Sequence, residues 1–245
     1  MTEEQWFSCM DPTPMLKFLR ASGKLSERRA RLFAVAVCRR IWRWMTDERV
    51  RRAVESVERF AEGWADEQEI RQTRYEARRI AALLRVQLKA GSDEERWLAF
   101  LPCRAAANAT RPDSFLVARE TAEDALRLRV TEVMLSQKGG KPQPTLWTAA
   151  MRDERTHQCH LLRDLFGNPF RPAAIDPSCL AWNDGAVGKL AHVIYDERAF
   201  DRLPLLADAL EDAGCTDKDI LAYCREEGAV HVRGCWIIDL LLGKS

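Results

Sequence analysis

Apolar side chains recur at spacings of three and four from one end of this 245-residue chain to the other, and no useful stretch alternates apolar with polar. A period near 3.6 puts those side chains on helix faces and leaves nothing to line a half-buried strand. The fold predicted is therefore all-α, a multi-helix bundle with a C-terminal module of short helices. With 47% apolar residues the chain can bury a sizeable core. The run KGGKPQP over 138–144 combines flexible glycines with extended prolines. It divides the chain into an N-terminal helical bundle (1–137) and a C-terminal helical module (145–245), although so short a connection also fits between helices of one continuous domain.

Helix punctuation is dense in the first half. Asp11-Pro12 reads as a cap followed by a proline in the first turn, and Asp47 restarts the pattern after Trp42 and Trp44. Asp66 with Glu69 opens a long helix whose apolar set is Ile70, Tyr75, Ile80, Leu83, Leu84 and Leu88, and Ser92 to Glu95 forms a capping box before the next. Pro102 is expected to kink or divide that helix. Another spans 112–137.

The second half begins with LLRDLFGNPFRP. Leu161, Leu162, Leu165 and Phe166 lie on one helix face, Gly167 stands where a left-handed stop is wanted, and the prolines that follow hold Phe170 and Ile175 in a loop pressed on the core. Asp176-Pro177 starts another helix, with a second start at Asn183 or Asp184. Arg202 to Ala213 closes on Gly214, Thr216 caps the next helix, and Val232 to Leu242 is the last. The segments FGNPFRP, IYDERAFDRLPLLADALEDAGC and HVRGCWIIDLLLGK resemble the C-terminal signature of a family of uncharacterised proteins from planctomycete-type bacteria. DPTPMLKFLR and LFAVAVCRRIW are similar to that family's N-terminal half, while the likeness weakens between about Asp66 and Pro144. The resemblance implies a bacterial lineage and carries no catalytic residue or cofactor onto this sequence.

Charge narrows the classes of function. The 38 basic and 37 acidic side chains nearly cancel, which argues against a surface built wholly for nucleic acid or acidic lipid. No segment has the roughly 18 consecutive apolar residues of a membrane span, and the acidic start MTEEQWFSCMD is unlike a secretory signal, so the chain is expected in the cytoplasm. In that reducing compartment the eight scattered cysteines read as small buried hydrophobes.

Two clusters carry chemistry. Nine arginines fall between Arg28 and Arg52 beside Trp42 and Trp44, and Arg39, Arg40 and Arg43 are the residues expected to hold phosphates there. Glu55 and Glu58 can instead pair with nearby arginines. His157, Cys159 and His160 lie close on one helix, where the two histidines three apart could face one metal. No CxxC or HxxxH pair strengthens that set, and GxGxxG, GxSxG and HExxH are absent. No cofactor is expected. Three readings follow: a helical protein-interaction or regulatory module without catalytic activity, with a protein as partner; a nucleic-acid binder acting through the Arg-rich 28–52 segment; and a metal- or thiol-dependent enzyme using the His157, Cys159 and His160 region.

Overall fold

The structure is a computed structural model, and it describes residues 1–89, 95–137 and 143–244. The capping box at 92–95 and the connection at 138–144 fall largely outside these residues. The chain is 76% helical with no strand among the described residues, so the all-α fold is observed. It divides into two compact units, Met1–Cys159 and His160–Ser245, with the boundary inside a helix beyond the 138–144 segment.

The first unit contains α1 (Glu3–Ser8), α2 (Pro12–Ala21), α3 (Glu27–Arg40), α4 (Glu48–Ala61), α5 (Glu67–Lys89), α6 (Glu95–Ala109), α7 (Ser114–Ser136) and most of α8 (Pro144–Phe166). Asp11, Asp47 and Asp113 each accept a backbone N–H from the first turn of the helix that follows, as Asp66 does from Glu69. Helix α3, capped by Ser26, ends at Arg40, and Trp42–Trp44 makes a 3-10 turn before Asp47 restarts the helical pattern. Helix α3 packs against α4 and α7, and α6 lies against α5 and α7. Phe33, Val37, Ile41, Met45, Val50, Val54 and Leu101 are almost wholly buried. Helix α6 runs through Pro102 without dividing. The proline forfeits one backbone hydrogen bond, but Leu101, Cys103, Ala105 and Ala106 around it are buried and hold the helix by packing.

The second unit contains the end of α8, then α9 (Pro177–Glu197), α10 (Leu203–Asp212), α11 (Lys218–Cys224) and α12 (Trp236–Leu242). Helix α9 packs against α10 and α12 around Val187, Ile194, Tyr195, Leu206, Leu210 and Ile237. Asn183, Asp184 and Gly185 are all left-handed and split α9 at the second start read from the sequence. Gly167 stops α8 with φ 58°, and a Cβ there would lie 3.0 Å from the Trp236 ring. Two expectations are corrected. Asp217 rather than Thr216 caps α11, accepting from the Asp219 and Ile220 amides. The last helix starts at Trp236, because residues before it are drawn away by a buried carboxylate described below.

Candidate functional site

Arginines on a helix become phosphate ligands only if nothing closer neutralises them, and in the first unit carboxylates do so. Arg39 lies 2.7 Å from Glu58 and stacks 5.0 Å above the Trp42 ring. Arg40 lies 2.9 Å from Glu154, whose side chain is fully buried and also accepts from Gln158 at 3.0 Å. Arg43 pairs with Glu132 and covers the Trp44 ring. Elsewhere in the cluster Arg28 meets Glu62, Arg31 meets Glu27, Arg49 meets Asp47, and Arg51 donates to the Met45 carbonyl. The residues expected to hold phosphates thus tie α3 to α4 and α8 and the 3-10 turn after it to α7, and the tryptophans among them are half-buried beneath guanidiniums.

His157, Cys159 and His160 sit on α8 as predicted. His157 is half-buried with Nδ1 2.9 Å from the Asp153 carbonyl, Cys159 is fully buried, and His160 is exposed. Facing different surroundings, they do not converge, and no three His, Cys, Asp or Glu side chains come together on one point among the described residues.

A polar centre that sequence reasoning missed lies in the second unit. Asp164 is 4% exposed at the end of α8. His231 donates from Nδ1 to Asp164 Oδ1 at 2.7 Å, the Tyr223 hydroxyl donates to the same oxygen, and the Val232 amide donates to Oδ2 at 2.9 Å. The Tyr223 ring meets His231 edge-on and lies 4.9 Å from Trp236. Burial pushes the Asp164 carboxyl above its ordinary range, against hydrogen bonds from His231, Tyr223 and Val232 that favour the ionised form. It pushes the Tyr223 hydroxyl and the Cys235 thiol far up, so both keep their protons. A protonated, fully buried thiol is no nucleophile. These groups act as a clasp that fixes the segment entering α12. An acid between Leu161 and Leu165, inside an apolar stripe, was the available signal.

The surface of the first unit offers a different feature. Helix α5 buries Ile70, Ala77, Ile80 and Ala81, while Tyr75, Leu83 and Val86 are 67%, 59% and 67% exposed. Tyr75 and Leu83 were expected in the buried stripe. The small alanines at 77 and 81 make the close contact with neighbouring helices instead, leaving the larger side chains to face water. Arg78, Arg79 and Arg85 on the same helix are exposed and form no ion pair with a described residue. Arg96 donates to the Gln87 carbonyl at 2.7 Å, which brings the start of α6, with Trp97 42% exposed, beside the end of α5. Trp97 also borders a groove of about 320 Å³ with Leu101, Leu126, Val130 and Met151, rimmed by Glu123 and Arg155. No helix among the described residues is long and apolar enough to cross a membrane. Compared with known protein families, curated proteins and solved structures, the chain matches none.

Proposed function

We propose that this chain is a helical protein-interaction module and that its docking surface is the outer face of α5 with the adjoining start of α6. The observation that carries this reading is the exposure of Tyr75, Leu83 and Val86 on one helix whose other side is well buried. Single exposed hydrophobes are ordinary, whereas a large aromatic and two aliphatic side chains on one helix, with Trp97 nearby, form the kind of patch that partner proteins cover. Nucleic-acid binding through Arg39, Arg40 and Arg43 draws less support, because each guanidinium already faces a carboxylate. Metal or thiol chemistry at His157, Cys159 and His160 draws less still, since their side chains do not converge.

The test compares the chain with a Tyr75→Asp, Val86→Asp double variant. Both are gel-filtered alone and in extract of the source cells. The wild type is expected to elute in extract as a nuclease-resistant complex larger than it forms when pure, and the variant to elute as it does when pure. Identical elution of the two in extract would oppose the reading.

A further inference from the structure

The exposed face of α5 has an order that specifies its partner. At about 100° per residue, Tyr75, Ala82 and Val86 fall within an arc of roughly 40° and form a narrow apolar ridge. Arg71, Arg78 and Arg85, spaced by seven, run along one side of that ridge, and Arg79 stands on the other. Arg71 is paired with Glu67, but Arg78, Arg79 and Arg85 have no carboxylate within ion-pairing distance among the described residues. From Arg71 to Val86 the helix itself carries one acid, Glu76, which is half-buried.

Resting on the docking reading above, we infer that α5 takes an acidic amphipathic helix, laid along it in coiled-coil fashion, with small or aliphatic residues on the ridge and glutamates or aspartates against Arg78, Arg79 and Arg85. A ridge this narrow, with seven-residue repetition of charge beside it, suits a second helix, in which flanking charges select the partner. A second copy of α5 is a poor occupant, because pairing would set arginine row against arginine row with too few acids to answer them. A lipid surface wants a broad apolar face, and here Arg79 lies within about 40° of the ridge centre. Nucleic acid would use the arginines but leave Ala82 and Val86 against phosphate.

The experiment titrates the full chain with three synthetic helical peptides of about three heptads. They share one alanine and leucine stripe and differ only in flanking residues, which are glutamate, glutamine or lysine. Fluorescence anisotropy at low and moderate salt gives Kd. The glutamate peptide is expected to bind about tenfold tighter than the glutamine peptide, with the advantage shrinking as salt rises, and the lysine peptide weakest. An Arg78→Glu, Arg85→Glu variant is expected to reverse that order, and since both side chains are exposed its thermal unfolding should match the wild type. Tyr75→Ala with Val86→Ala should weaken all three peptides together. Equal binding of the glutamate and glutamine peptides would overturn the acidic selection while leaving α5 a docking face. Failure of every peptide to bind would overturn the helical partner, and the docking reading would then stand or fall by the extract experiment. Tighter binding to duplex DNA or to phosphatidylserine vesicles than to the glutamate peptide would also overturn the inference.

Discussion

Replacing Asp164 tests whether one buried carboxylate holds the C-terminal unit together. In Asp164→Ala the His231 Nδ1, the Tyr223 hydroxyl and the Val232 amide lose this acceptor at once, and His231 and Tyr223 keep only each other, at 3.1 Å. A buried donor left unmade costs about 1–3 kcal/mol, so two such losses and one weakened bond would cost several, and water entering the vacated space recovers part. We expect a net loss of about 3 kcal/mol or more. Asp164→Asn keeps the shape and one carbonyl acceptor, so its loss should be near 1–2 kcal/mol. Urea unfolding followed by circular dichroism gives both values, and hydrogen exchange at the Val232 amide reports the clasp itself, which should open in the alanine variant. Acidity supplies a second reading. Burial raises the Asp164 carboxyl above the ordinary 3.8, so in the pH window just above that value the folded state holds more protons than the unfolded one. The stabilisation from this group is full below the ordinary value and is lost as pH rises through the raised one. The difference in stability between wild type and Asp164→Asn should therefore widen as pH falls through that window. A loss under about 1 kcal/mol for Asp164→Ala, with Val232 still protected, would mean that this carboxylate does not hold the segment entering α12.

Three further outcomes follow from the same structure. Arg40→Ala strands the fully buried Glu154 with Gln158 as its remaining partner and should cost about 3–5 kcal/mol in urea unfolding; Arg49→Ala, which breaks an exposed pair with Asp47, should cost far less. Gly167→Ala demands a left-handed alanine pressed at 3.0 Å on the Trp236 ring and should cost about 2–4 kcal/mol, measured the same way. Seven of the eight cysteines are buried, and burial pushes the Cys103 and Cys224 thiols up to about 12. A thiol reagent at pH 8 should therefore modify half-buried Cys9 readily and the rest only when the chain unfolds.

Helices and their starts were largely legible because they are local. Asp11, Asp47, Asp66 and Asp176 cap where their neighbours said they would, since a cap and the amide it satisfies lie within three residues. What could not be read is what joins residues distant in sequence. Nothing near Arg40 announces Glu154, 114 positions on, so an internal clamp looked like a phosphate ligand. The residues from Val232 permit a helix, and the pull of Asp164 on His231 and Val232 explains the later start at Trp236. On α5 the periodicity correctly showed a helix and misjudged which apolar residues face inward. Tyr75 and Leu83 are larger than Ala77 and Ala81, yet close packing chose the alanines.

The most direct test of the docking face is site-specific photocrosslinking in living cells. A photoreactive phenylalanine analogue is placed at Tyr75, at Leu83, or at exposed Glu55 on α4 as the control. One discrete protein adduct is expected from positions 75 and 83, resistant to nuclease, absent from position 55 and abolished by Val86→Asp. No adduct at 75 and 83, or equal adducts at all three positions, would contradict it.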